Sequence, residues 1–270
     1  MDCHDTNQPT NCSQCGQRLP QAIRMESIDG RARLFHGDFR DATRLIEPAI
    51  DAVITDPPYG SGGFAASELK RPSKAKYVST GAKYADQMPD IDGDSLLPQQ
   101  WQRLMTEFLD AAWSVLKDRG ILVTFIDWRN LAALHGLILE SPFTFRGIAV
   151  WNKGNASRPY KNGFRMQAEY LLWATKGKLP DRDPPVYLPG VLSHTTRTNG
   201  KRHITEKPER LMEDLVEICP PGGTIFDPFM GSGTTGVAAL KTGRRFVGCE
   251  TVGQYFDVAL QRCKEAVNAP

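Results

Sequence analysis

Thr224-Ile225-Phe226-Asp227-Pro228-Phe229-Met230-Gly231-Ser232-Gly233-Thr234-Thr235-Gly236 carries the clearest local signal in the chain. It opens as a short β-branched and aromatic run and breaks at a proline and a glycine. It then continues with helical spacing over Thr234 to Lys241. Gly231, Gly233 and Gly236 satisfy Gly-x-Gly-x-x-Gly in a strand–turn–helix context. Such glycines let a ligand approach the backbone, and the first turn of a helix offers unpaired N–H donors. The next strand, Arg245 to Cys249, follows the basic pair Arg244-Arg245. Glu250 at its tip is placed to accept two hydrogen bonds from ribose hydroxyls.

Three ligands compete for this turn. A phosphate-binding loop of the Walker type is excluded, because no Lys-Ser/Thr follows the glycines. A dinucleotide fits locally but needs a second nucleotide-binding half, and only about 20 positions remain beyond Glu250. A cofactor with a ribose and no pyrophosphate fits better. S-adenosylmethionine is such a ligand, and Asp227 at the strand end is placed to receive its ammonium, directly or through water. A glycine-rich turn with no ligand is the bland alternative.

Toward the N-terminus, Asp51-Ala52-Val53-Ile54-Thr55 reads as a buried strand that stops at Asp56-Pro57-Pro58-Tyr59-Gly60. Proline can neither donate to a ladder nor let its predecessor turn helical. In an open α/β sheet, ligands bind beyond the carboxyl ends of the strands. Two prolines there stiffen the backbone, fix the Pro57 carbonyl and present a rigid aromatic ring beside a carboxylate. An exocyclic amine on a planar ring needs that kit: two acceptors for its hydrogens and a flat surface for its π-face. A merely stiffened turn, or a proline-rich ligand for another domain, are the alternatives, and the second fits poorly with an apolar strand leading in. Paired with the glycine turn, the tetrapeptide becomes specific.

The remaining periodicity predicts strands near residues 34, 123, 149 and 172, besides those near 53, 225 and 247. Helices are expected at Trp101 to Leu116 (closed by Asp118-Arg119-Gly120), Asn130 to Leu139, Pro208 to Ile218 and Tyr255 to Val267. Alternating strands and helices imply a mostly parallel sheet covered on both faces. Residues 1–30 read as an N-terminal tail and 31–270 as the folded domain, with an inserted loop at 61–100 and a loop-rich segment at 178–202. The 270 residues carry 33 Lys+Arg against 31 Asp+Glu and are 40% hydrophobic, which argues against wholesale disorder. No window approaches a membrane span and the N-terminus lacks an apolar export signal, so a cytoplasmic protein is expected. Cys219, Cys249 and Cys263 read as small buried hydrophobes. Cys12 and Cys15, with Cys3 and His4 nearby, form one half of a zinc knuckle; a closed site needs a second half that is absent, and a plain tail is the alternative.

The two motifs together resemble the S-adenosylmethionine-dependent amino DNA methyltransferases, in the permuted arrangement called the β class, where Asp-Pro-Pro-Tyr precedes the cofactor loop. The resemblance spans about Arg33 to Arg262, excepting the loop after Gly60 and the segment 178–202. His203-Ile204-Thr205-Glu206-Lys207-Pro208 is similar to the family's segment ahead of the cofactor strand. Asp227 to Thr235 matches the cofactor loop, Gly248-Cys249-Glu250 with Tyr255 resembles the ribose-binding strand and helix, and Gly37-Asp38 resembles the element whose Asp bonds the adenine amine. The resemblance implies a seven-stranded Rossmann-like sheet. It also implies a cofactor site formed by Asp38, Asp56, His203, Thr205, Lys207, Asp227, Phe229, Gly231, Ser232, Gly233, Thr234, Thr235 and Glu250.

By the same resemblance, Asp56, Pro57, Pro58 and Tyr59 are catalytic. Tyr59 stacks on a nucleotide swung out of the duplex, while Asp56 and the Pro57 carbonyl accept hydrogen bonds from its amino group. Asp at the first position resembles the adenine-N6 enzymes; cytosine-N4 enzymes more often begin with Ser, and Asn would suggest protein glutamine. Cytosine N4, RNA, or a catalytically silent DNA-binding module are the alternatives.

Double-stranded DNA is the expected partner, and a homodimer is consistent with the family. Ser61 to Ala85 holds Lys70, Arg71, Lys74, Lys76 and Lys83 against Glu68 alone, together with Tyr77 and Tyr84. Lys153, Arg158, Lys161 and Arg165 form a second basic group, and Arg197, Lys201 and Arg202 a third. Basic, aromatic-containing loops suit phosphate neutralisation beside a flipped base, against a plain solvated surface. Sequence readout is expected at 178–202, shared with the 61–100 insertion or a second subunit.

Overall fold

Ile50-Asp51-Ala52-Val53-Ile54-Thr55 is buried along nearly its whole length, so its side chains must be covered from both faces of a sheet. The computed structural model, which describes residues 21–60, 96–156, 161–195 and 207–269, supplies both covers. Its strands are β1 (Arg24–Ile28), β2 (Ala32–His36), β3 (Ile50–Thr55), β4 (Leu116–Ile126), β5 (Thr144–Asn152), β6 (Ala168–Thr175), β7 (Val191–Ser193), β8 (Thr224–Asp227) and β9 (Arg245–Glu250). They form one sheet in the order β1-β2-β9-β8-β3-β4-β6-β5-β7. The run β2-β9-β8-β3-β4 is parallel throughout, as is β5-β7. β1 on β2, and β6 on both β4 and β5, are antiparallel.

The helices are α1 (Phe39–Ala42), α2 (Pro98–Val115), α3 (Leu131–Glu140), α4 (Glu209–Val216), α5 (Thr234–Lys241) and α6 (Gly253–Asn268). In α2 the buried residues Trp101, Met105, Phe108, Leu109, Ala112 and Val115 recur at helical spacing and make one apolar stripe. Pro98 sits in its first turn, and the Gln100 side chain accepts from the Leu97 N–H at 3.0 Å. From Ala52 onward successive β3 residues point to opposite faces, while a register shift between Ile50 and Ala52 turns Ile50 to the side of Val53. Ala52 and Ile54 join a core with Leu211, Leu215 and Val216 of α4, Val237 of α5 and Phe256 and Ala259 of α6. Ile50 and Val53 join the other core, with the α2 stripe and with Leu134 and Ile138 of α3. Each large apolar side chain removed from water here contributes roughly 1.5–3 kcal/mol.

All seven expected strands are present, and two more extend the sheet. β1 lies within the stretch expected to be a tail, so the sheet begins at Arg24 rather than after residue 30. β7 is a three-residue strand inside the loop-rich 178–202 segment, with only Leu192 buried. Asp118-Arg119-Gly120 does not close α2, which ends at Val115; these residues lie in β4, with Arg119 at φ 66°. Pro98 to Gln100, assigned to the insertion, are the first turn of α2. The rest of that insertion, residues 61–95, lies outside the described residues, as does the cysteine group Cys3, Cys12 and Cys15. Among the described residues no group of His, Cys, Asp and Glu is arranged to hold a metal, and no helix is long and apolar enough to cross a membrane. Cys219, Cys249 and Cys263 are free and buried; burial pushes the Cys219 and Cys263 thiols up to about 12, which keeps them unreactive.

Candidate active site

β3 and β8 are parallel neighbours, with Ala52 opposite Ile225 and Val53 opposite Phe226. Their carboxyl ends therefore emerge side by side, and so do the two turns that follow. A buried hydrogen bond joins them: the Thr55 hydroxyl donates to Asp227 Oδ1 at 2.6 Å. Late glycine turn and early proline pair thus share the carboxyl end of the two central strands, although 172 positions separate Thr55 from Asp227.

The Asp-Pro-Pro-Tyr turn is pinned from outside. Trp101 Nε1 donates to the Pro58 carbonyl at 2.8 Å, and Asn130 Nδ2 to the Tyr59 carbonyl at 2.6 Å. Gly60 leaves the turn at φ +60°, where a Cβ would lie 2.5 Å from the Trp101 ring, so only glycine fits. The Tyr59 hydroxyl donates to Asp56 Oδ1 at 2.6 Å and also lies 3.1 Å from Glu169 Oε2. Lys207 Nζ donates to Asp56 Oδ2 at 2.6 Å and lies 3.3 Å from Glu169 Oε2. Lys153 Nζ holds the other Glu169 oxygen at 2.9 Å. The rings of Phe125, Tyr59 and Trp151 surround Lys207 Nζ, with centroids 5.0, 5.4 and 5.6 Å away.

Burial raises the Asp56 carboxyl, with Lys207 opposing and Glu169 adding to the rise. Burial lifts Glu169 as well, but Lys207 and Lys153 outweigh it and leave that carboxyl lowered. Lys207, despite burial, is raised by its two carboxylates and stays an ammonium. Burial also lifts the Tyr59 phenol well above its ordinary value, so it remains a neutral donor.

The glycine turn is built as tightly. Gly231 and Gly233 take φ 50° and 79°, and a Cβ at Gly233 would meet that of Ala259 at 2.9 Å. Glu250 Oε2 accepts from the Gly231 N–H at 2.9 Å and Oε1 from Val252 N–H at 2.8 Å, which fixes the carboxylate at the tip of β9. Burial raises its pKa against these bonds. Phe229 is half-buried, its ring 5.1 Å from Phe39 and 5.7 Å from Phe108. Asp38 caps α1 by accepting from the Arg40 N–H at 2.9 Å, and its carboxylate pairs with the Arg40 guanidinium at 2.6 Å.

Several expected site residues already have partners inside the protein. Asp227, expected from the sequence to receive a ligand ammonium, accepts from Thr55, from the Thr235 hydroxyl at 2.6 Å and from the Phe229 N–H at 3.1 Å. Burial lifts its pKa to about 6. The Ser232 and Thr234 hydroxyls face Arg262, whose Nη1 lies 3.1 and 3.2 Å from them and donates to the Ser232 carbonyl at 2.8 Å. Arg262 is 4% exposed and ion-pairs with Glu209 at 2.9 Å, so α6 and α4 brace the turn from below. Lys207, grouped with the cofactor residues by resemblance, sits on Asp56, a member of the same group. Lys153, counted among the cations for DNA, is tied to Glu169. Lys161 and Arg165 are exposed, and Arg165 donates to the Asn155 carbonyl at 3.2 Å. His203 and Thr205, and the basic residues Lys70, Arg71, Lys74, Lys76, Lys83, Arg158, Arg197, Lys201 and Arg202, lie outside the described residues.

Glu169, Asn130, Trp101 and Arg262 carry site geometry that the motifs did not reveal. For two of them a signal existed. Arg262 falls on the apolar face of α6 beside Ala259 and Cys263, where a cation needs a partner. Glu169 heads an otherwise apolar strand and faces Trp151 across the ladder, next to Lys153.

The chain is similar in sequence to a known methylase and in fold to solved structures. YubD of Escherichia coli (strain K12) is 28% identical over 215 residues, which are 79% of this chain and 82% of that protein. The M1.HpyAVI–SAM complex superposes with a TM-score of 0.61 at 23% identity, covering 86% of this chain and 98% of that one. The cytosine-N4-specific PvuII DNA methyltransferase superposes with a TM-score of 0.63 at 20% identity, covering 86% of each chain. With two motif-bearing turns joined across β3 and β8, and residues 50–261 matching the family described as DNA methylase (N6_N4_Mtase), the chain belongs to that DNA methylase family.

Proposed function

We propose that this protein transfers the methyl group of S-adenosylmethionine to the N6 amine of an adenine turned out of duplex DNA. The observation that carries the reading is the Thr55–Asp227 bond, which holds a cofactor-type glycine turn against an amine-binding Asp-Pro-Pro-Tyr turn. The donor set fits the cofactor: Glu250 at the tip of β9 for the ribose hydroxyls, Asp38 for the adenine amine, and the Phe39–Phe229 ring pair as an apolar wall. When bound, S-adenosylmethionine supplies an electrophilic methyl on a sulfonium.

The chain's own residues do the rest. Asp56 and the Pro57 carbonyl take the two amine hydrogens, which turns the nitrogen lone pair out of the ring plane. The Tyr59 ring, pinned through the Pro58 and Tyr59 carbonyls, supplies the stacking face at little conformational cost. Held positions and fixed dipoles account for the acceleration with no covalent enzyme intermediate; as the nitrogen gains the methyl it loses one of its two hydrogens as a proton, which Asp56 is placed to pass to solvent. An ionised Asp56 is required, so activity falls as the pH drops through its raised pKa. Adenine is favoured over cytosine by the Asp at position 56; the N4 amine of cytosine presents the same two hydrogens to the same acceptors. Mapping modified bases in DNA from cells expressing the protein tests the reading: N6-methyladenine in one recurring context supports it, N4-methylcytosine replaces the base, and unmodified DNA rejects it.

A further inference from the structure

The carboxylate assigned to the target amine is already in use. Asp56 Oδ1 takes the Tyr59 hydroxyl, and Oδ2 takes the Lys207 ammonium at 2.6 Å. A neutral base amine is a weaker donor than an ammonium and does not displace one from a carboxylate that, like Asp56, is only 25% exposed unless the cation gains another anion. That anion is present. Glu169 Oε2 lies 3.3 Å from the same Nζ, and Lys153 anchors the opposite Glu169 oxygen, so the second seat is fixed in place. The rings of Phe125, Tyr59 and Trp151 lie 5.0, 5.4 and 5.6 Å from the ammonium where it stands between the two carboxylates, and their π-faces favour a cation there. The side chains of Lys207, Glu169 and Lys153 are 10%, 15% and 16% exposed.

We propose that Lys207 and Glu169 form an ammonium shuttle. Lys207 holds Asp56 before the target amine arrives, and it moves onto Glu169 when the amine takes its place. Both act as positioning residues, and the inference rests on the function proposed above. The cluster holds two carboxylates and two ammoniums, so its charges cancel throughout. Removing Lys207 leaves Asp56 facing Glu169 with one cation fewer, and the less stable anion takes up a proton. Removing the Glu169 charge leaves Lys207 with no second seat.

The test uses the full-length protein, labelled S-adenosylmethionine and unmethylated plasmid DNA carrying the mapped site, in single turnovers across pH. The groups facing Asp56 are Tyr59 from its own turn, Lys207 ahead of α4 and Glu169 on β6. Beyond them lie Lys153 after β5, Asp127 after β4 and Asp227 on β8. Lys207→Met moves the acid limb of the rate to higher pH, and Glu169→Gln moves it to lower pH. Glu169→Gln also raises KM for DNA about tenfold, while the Kd for S-adenosylmethionine stays within about threefold in both variants. Glu169→Asp recovers most of the loss. Should Lys207→Met not fold, Lys207→Gln takes its place; the downward shift in Glu169→Gln follows from its lost charge alone, so the rise in KM for DNA and its rescue in Glu169→Asp decide, and an unchanged KM overturns the shuttle. Limbs that move together or stay put, or a lost cofactor affinity, overturn the shuttle. A wild-type protein that labels no DNA overturns the proposed function instead, so the two failures are distinct.

Discussion

Replacing Arg262 by methionine removes the brace under the glycine turn while keeping most of the side chain's apolar volume. The guanidinium donates through one nitrogen to the Ser232 carbonyl, with the Ser232 and Thr234 hydroxyls sharing that donor, and through the other to Glu209. A hydrogen bond from a charged donor contributes about 1.5–3 kcal/mol, and a buried carbonyl left unpaired costs a similar amount. Glu209 is 41% exposed, so the ion pair itself adds at most about 1 kcal/mol. The net expectation is a loss of about 3 kcal/mol in urea unfolding, or a fall of roughly 6–12 °C in Tm for a chain of this size. Titration calorimetry with S-adenosylmethionine should show a Kd weakened by about tenfold, because the loosened turn must be reordered on binding. Lys241→Met breaks only the exposed end of the same network, where Lys241 meets Glu209 at 2.9 Å, and should cost under about 1 kcal/mol. An Arg262→Met protein within about 1 kcal/mol of wild type, with unchanged cofactor affinity, would refute the bracing role.

Gly236→Ala places a Cβ 2.6 Å from the Phe246 ring and 2.9 Å from Cys263 Sγ, so the usual helical gain from alanine is reversed. Urea unfolding should show a net loss of about 1–3 kcal/mol, and a stabilised variant would contradict the packing. Asp227 supplies a pH signature. Burial holds its folded pKa at about 6, above the roughly 3.9 of a free aspartate, so the folded state holds the proton more tightly. That contribution is fully present below about pH 4 and is lost as the pH rises through 6, a swing of up to roughly 3 kcal/mol. Asp227→Asn should flatten the stability profile over that window, and an unchanged slope would rule the assignment out.

Much of the fold was legible because the parallel strands are short apolar runs bounded by proline and glycine, as in Asp51 to Pro57 and Thr224 to Gly231. β1 was not, since Arg24 to Ile28 buries only Ile28 fully and its other side chains look like those of a tail. β7 was missed because three residues with one buried leucine carry no period. The motifs located both turns, yet side-chain direction escaped them. Asp227, Ser232 and Thr234 belong to the cofactor turn by position, but their oxygens satisfy buried partners from β3, α5 and α6, and nothing local in the sequence encodes those long-range bonds. Lys207 illustrates the same limit: 151 residues from Asp56, it is placed on the catalytic carboxylate by the approach to α4.

Nucleoside mass spectrometry identifies which base receives the methyl group and whether the Asp-Pro-Pro-Tyr turn is required. Purified protein is incubated with unmethylated DNA and S-adenosylmethionine carrying a deuterated methyl group. Wild type should yield trideuterated N6-methyladenine. Asp56→Ala and Tyr59→Ala should yield none while still binding the cofactor. Label reaching the DNA at an undiminished rate in either variant would contradict the placement of the target amine on that turn.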